Sequence, residues 1–160
     1  GICDDNKVAL NISDTHKTTA NLRARHAFTI SVADIDHLEA ADFLGMASGN
    51  KMPDKFERTG LHAVRSERVD APVVVEFPVT LECRVVDIRV NDGTAHVVGE
   101  IVNVQVDEKV LDERGRVDPK RLNAFLFDAF QNGYYAIGEK VGQAWKSGAA
   151  MMRMGANDNA

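Results

Sequence analysis

Residues 15–21 concentrate the chemistry of this chain: Thr15, His16, Lys17, Thr18, Thr19 and Asn21 bring hydroxyls, an imidazole, an ammonium and an amide to the start of a helix. Free backbone N–H groups and the helix dipole make such a place favourable for an anion. The plainer reading is that the threonines cap the helix while Lys17 points into water. Ser48, Gly49, Asn50 and Lys51 form a second polar block, with Lys55 close behind. These residues suit either a helix end with its loop or the border of a ligand site. Three glutamates, Glu76, Glu82 and Glu100, raise the possibility of paired carboxylates for acid and base work. Glutamates on strands ordinarily face solvent, so that reading is set aside. The histidines at 16, 26, 37, 62 and 96 show no metal-binding spacing. Cys83 falls at an inward strand position and is expected to pack as a small hydrophobe. With Cys3, 80 positions away, it makes neither a disulfide framework nor a zinc site, so a reducing cytoplasm is the expected home.

The elements that must position these groups read as α+β, with strands dominating the core. Val8, Leu10 and Ile12 alternate along Lys7 to Ser13, as in a half-buried strand. Ser13, Asp14 and Thr15 offer N-cap side chains to a helix running to about Ala24. His26 to Ala33 returns as a strand. Asp36 and Glu39 have the spacing of a capping box, and Ala40, Phe43 or Leu44, and Ala47 form one stripe of the helix that follows. Gly49 is expected to close that helix in the left-handed conformation. Along Val79 to Val90 the apolar positions switch from odd to even, which predicts a bulge near Val85. Asn91, Asp92 and Gly93 supply a hairpin turn into Ala95 to Val106. A second exposed turn is read at Glu113 to Arg116, and Asp118-Pro119 opens a helix. The expected domain covers residues 1–150, with a frayed tail at 151–160.

Composition limits the function. The 160 residues carry 44% hydrophobic and 27% charged side chains, ordinary for a globular domain. A formal net charge of -5 argues against a broad nucleic-acid or acidic-membrane surface, and Arg23, Arg25 and His26 are too few to reverse it. No apolar run approaches the roughly 20 residues that span a bilayer.

In their order, Ser48-Gly49, Asp54-Lys55-Phe56, Gly60-Leu61, Val69-Asp70-Ala71-Pro72, Leu81-Glu82-Cys83 and Gly99-Glu100-Ile101-Val102 resemble the flavin reductase-like family. Thr15 to Asn21 resembles the family's phosphate-side helix, Phe28 to Val32 the strand after it, and Tyr134 to Glu139 its closing strand. The resemblance spans about residues 7–146. It implies an FMN-binding split β-barrel, mainly β with flanking helices, acting as a homodimer with FMN near the interface. It also implies NADH or NADPH as transient electron donor and a small-molecule, metal or flavin acceptor. Lys17, Thr18 and Thr19 become the first phosphate contacts, with His16 and Asn21 beside them. Ser48, Gly49 and Lys55 border the flavin, while Phe56 anchors the loop. No side-chain catalyst is implied. Family members carry an earlier hairpin whose backbone faces the flavin; that N-terminal hairpin reads as missing from this sequence, so it is expected upstream of Gly1, pairing next to Lys7–Ser13, with Cys3 near the missing segment. Tyr134, Tyr135 and Trp145 fit core or dimer-interface positions. Two other functions share the fold, a flavin-binding electron carrier without catalysis and an interaction domain without flavin.

Overall fold

The fold is built on two 13-residue strands, β6 (Val79–Asn91) and β7 (Thr94–Val106), joined by the Asp92-Gly93 turn. Both turn residues have positive φ, 47° and 76°, the twist that a two-residue hairpin connection requires. The computed structural model describes residues 1–154. Around this hairpin an antiparallel five-stranded sheet has the order β1-β2-β7-β6-β3, with β1 at Ile2–Asp4, β2 at Lys7–Ser13 and β3 at Ala27–Val32. The sheet does not close. Two further hairpins stand apart from it: β4 (Ala63–Arg65) with β5 (Pro72–Val74), and β8 (Phe125–Asp128) with β9 (Gly133–Ala136).

Helix α1 (Lys17–Arg25) links β2 to β3 and drops Leu22 onto the sheet. There Leu22 joins Val8, Phe28, Cys83, Ala95 and Val97 in the core. Phe28 needs a special neighbour. A Cβ on Gly99 would come within 2.4 Å of the Phe28 ring, so the absence of a side chain at 99 is what lets the ring lie across β7.

Several expectations hold. Strand β2 keeps Val8 buried, Asp118 caps the short helix α3 (Pro119–Leu122) by accepting from Lys120 N, and Gly115 takes a left-handed turn. The pairing of β6 with β7 shifts between Val85 and Asp87, where the apolar switch predicted a bulge, and again between Glu82 and Cys83.

Other expectations are corrected. The N-cap of α1 is His16, which makes no side-chain cap; Thr19 instead donates its hydroxyl to Ser13 O at 2.8 Å. The Asp36–Glu39 box does not form. Asp34 accepts from His37 N at the 3-10 turn Ile35–His37, and helix α2 (Leu38–Met46) continues from that turn. The turn therefore starts two residues earlier than the box would place it. Gly49 does not end α2. The cap is Ala47 in an extended conformation, and Gly49 is absent from the positive-φ positions of the described residues. Strand β1, which the alternation rule passes over because it is only three residues long, pairs with β2. The strand expected at Tyr134 to Glu139 is β9, which pairs with β8 alone. The expected tail contributes the short helix α4 (Met151–Met154); its last residues, 155–160, lie outside the described residues.

Candidate functional site

Helix α1 presents Thr18, Asn21, Leu22 and Arg25 along one face, as three- and four-residue steps require. That face forms one wall of a cleft of about 760 Å³. Ala27, Phe28 and Thr29 of β3 make its floor, and Ala63 to Arg65 with Asp70 to Pro72 make the opposite wall. The β4–β5 hairpin is fastened beside the sheet edge by Thr29, whose hydroxyl donates to Pro72 O at 2.6 Å. Across the cleft Arg25 donates to Asp70 at 3.0 Å, and Arg65 reaches the other oxygen of Asp70 at 3.4 Å. Both arginines are exposed, so these pairs align the walls and contribute little to stability.

The two polar blocks of the sequence meet at the start of α1. A Cβ on Gly49 would lie 3.2 Å from Lys17 Cβ and 3.8 Å from Lys55 Cε, which puts Lys17, Gly49 and Lys55 at one point. Asn50 ties the loop down by donating to Thr15 O at 2.8 Å. Lys17 and Thr18 are exposed in the first turn of α1, which carries no acidic residue. An anion there would find the positive end of the helix and no competing carboxylate in that turn.

The sequence-selected residues thus divide by what their side chains do. Thr18 and Asn21 line the cleft. Lys17 and Gly49 meet at the start of α1, with His16 and Ser48 exposed on the flanking turns. Thr19 is buried and committed to Ser13. Lys55 donates to Leu44 O at 2.6 Å and Ala47 O at 2.9 Å, neutralising the carbonyl end of α2. Thr19 and Lys55 therefore shape the site, the one by fixing the first turn of α1 and the other by fixing the loop. Phe56 is half-buried, in keeping with an anchor.

The cleft's far wall was not picked out by residue type. Arg25 had a signal, since it continues the Thr18 and Asn21 face, whereas Arg65 comes into place only through the β4–β5 hairpin. Glu82 departs further from expectation. It is fully buried, not solvent-facing, and its carboxylate accepts from Ser66 Oγ and from Asn103 Nδ2. Burial pushes its pKa up, but the bonds from Ser66, Asn103 and Gln105 and the charge of Arg68 outweigh this and leave it lowered. Glu76 accepts from the backbone N–H of His62 at 3.0 Å, and its carboxylate lies 2.6 Å from the His62 ring. Cys83 is inert: burial beside Glu82 drives its thiol up to about 11. Cys3 is exposed. Among the described residues no group of His, Cys, Asp and Glu could hold a metal ion.

The fold is shared with known proteins. A flavoredoxin of Desulfovibrio vulgaris (Miyazaki F) superposes with a TM-score of 0.86 at 33% identity, over 92% of this chain and 80% of that one. A split-barrel protein of Shewanella frigidimarina NCIMB 400, described as a flavin reductase, gives 0.70 at 25% identity, over 86% of this chain and 69% of its own. An uncharacterised protein of Aeropyrum pernix is 30% identical over 81 residues; these make up 51% of this chain but 31% of that protein, so the match covers under a third of it. The description "Flavin reductase like domain" matches residues 2–130, taking in the sheet, α1, the Ser48–Lys55 loop and the whole cleft; the chain belongs to the flavin reductase-like family.

Proposed function

We propose that this protein binds FMN in the cleft between α1 and the β4–β5 hairpin and serves as a flavin-dependent oxidoreductase, with NADH or NADPH as donor and a small molecule, metal or second flavin as acceptor. The observation that supports the reading is the meeting of Lys17, Gly49 and Lys55 at the start of α1, the helix whose Thr18 and Asn21 line the cleft. At about 760 Å³ the cleft falls within the range of roughly 300–1,000 Å³ usual for small-molecule sites.

Lys17 and Thr18, with the first-turn N–H groups of α1, would hold the phosphate. His16, Ser48 and Gly49 border it, Asn21 faces the cleft, and Thr19 and Lys55 keep the helix start and the loop in place. A bound flavin supplies the hydride and electron chemistry itself, which fits the lack of a nucleophile or acid–base pair among the residues of the cleft. The protein's part is to bind, orient and leave one face of the ring open to a donor.

The same reading makes the protein a homodimer in the reducing cytoplasm. Its support is β8 and the segment that follows it. Phe130, Val141 and Trp145 are almost wholly exposed, and Leu126, Phe127, Met151 and Met152 are more than half exposed; exposed apolar side chains that form a patch mark interaction surfaces. A second copy of the chain is the proposed cover.

Anaerobic addition of NADH or NADPH to the FMN complex tests the redox claim. Bleaching of the flavin within the mixing time of a stopped-flow experiment is expected. A flavin that stays oxidised with both donors yet accepts electrons from dithionite would make the protein a carrier and not a reductase.

A further inference from the structure

We propose that Glu82, a fully buried carboxylate in the middle of β6, is a positioning residue that fixes the cleft wall through Ser66. Glu82 pairs with Thr29 of β3 on one side and Asn103 of β7 on the other. Thr29 is itself in the cleft. The register shift falls between Glu82 and Cys83: Glu82 faces Asn103, Cys83 faces Ile101, and Val102 has no partner. Bulges of this kind re-aim a side chain.

The carboxylate meets a loop with no regular structure of its own. Ser66 donates to Glu82, and the same hydroxyl oxygen accepts from Arg68 N and Val69 N, both at 2.9 Å. Ser66 N donates to Ala71 O at 3.0 Å and Ala71 N to Val69 O at 2.9 Å, so the turn closes on the serine. The residues flanking this turn, Arg65 and Asp70 to Pro72, are the cleft's outer wall. The bonds from Arg68 N and Val69 N both end on one hydroxyl, and that hydroxyl is held by one carboxylate. An ionised group is expensive to bury unless its oxygens are satisfied; here Ser66 and Asn103 take one oxygen each. A core that needed only volume at position 82 would be served by an apolar residue. The carboxylate is explained by the loop it holds.

This inference rests on the cleft being the flavin site, and its test separates the two. The loop contains two trypsin sites, Arg65-Ser66 and Arg68-Val69. E82M keeps the buried volume and removes the acceptor, S66A removes the hydroxyl, and E82Q keeps an oxygen for Ser66. Brief trypsin treatment of the full chain, with fragment masses assigning the cuts, should show cleavage at these bonds roughly tenfold faster in E82M and S66A and near the wild-type rate in E82Q. FMN affinity, read by quenching of FMN fluorescence, should fall by a similar factor in E82M and S66A and recover in E82Q. Unchanged cleavage in E82M and S66A overturns the proposal. So does faster cleavage with unchanged FMN affinity, which would mean that the loop is pinned but the site does not depend on it. A wild-type protein that binds no FMN defeats the functional reading instead, and the cleavage rates still decide whether Glu82 holds the loop.

Discussion

Gly49 lies against Lys17: a Cβ at position 49 would sit 3.2 Å from the Lys17 Cβ, closer than side chains ordinarily pack. Two blocks thirty residues apart in the chain therefore share one place, and the bare backbone at 49 is what lets the loop approach the helix. Gly49→Ala should displace Lys17 by a few tenths of an ångström and reduce FMN affinity roughly threefold, under about 1 kcal/mol. Lys17→Ala/Thr18→Ala should weaken FMN by tenfold or more at about 1.5–3 kcal/mol per lost charged hydrogen bond. Riboflavin, which has no phosphate, should bind both variants as it binds the wild type. Equal losses for the two ligands, followed by calorimetry, would remove the phosphate from the start of α1.

Gly99→Ala tests the core. The added methyl would come within 2.4 Å of the Phe28 ring, so the ring must leave its place on β7. Overpacking of this kind costs about 1–3 kcal/mol. A urea midpoint shifted downwards with an unchanged slope is the expected outcome. No shift would mean that Phe28 can move without cost.

Glu82 gives a pH dependence with a definite sign. Its folded pKa is held below the ordinary glutamate value of about 4.3. The stability it contributes is thus complete above that value and lost as the pH falls through the lower, folded one. As the pH falls below the ordinary glutamate value of about 4.3, the wild type should lose stability more steeply than E82Q, which has no proton to take up there. Parallel profiles in chemical denaturation would show that folding leaves the pKa of Glu82 where it is in the unfolded chain.

The long hairpin, the bulge near Val85 and the helix α1 were legible in the sequence because each is a local signal: apolar alternation, a change of its phase, and polar residues ahead of a helix. The cap at Asp34 was misread because a 3-10 turn precedes α2 and shifts the helix start. Strand β1 was too short to alternate. The cleft's far wall was hidden for a different reason, since Asp70, which Arg65 also contacts, reaches Arg25 only after the β4–β5 hairpin folds beside β3. Glu82 looked like a surface residue because the sequence cannot show that Ser66 and Asn103 converge on it. Gly99 was visible only as part of a family block, and its reason is the Phe28 ring.

Trp145 reports assembly, being the single tryptophan of the chain and almost fully exposed within one protomer. If a second copy covers the segment after β8, sedimentation gives a dimer, and the Trp145 emission lies at shorter wavelength at high protein concentration than after dilution. Dilution should also release FMN. A monomer with solvent-like tryptophan emission at all concentrations would contradict the dimer.

Titration of FMN with the purified wild-type protein, followed by the quenching of flavin fluorescence, tests the central claim most directly. Saturable quenching is predicted, reaching one FMN for each chain, with riboflavin bound more weakly because Lys17 and Thr18 have no phosphate to hold. Fluorescence that stays unchanged as the protein is raised well above the flavin concentration would contradict the assignment of the cleft to FMN.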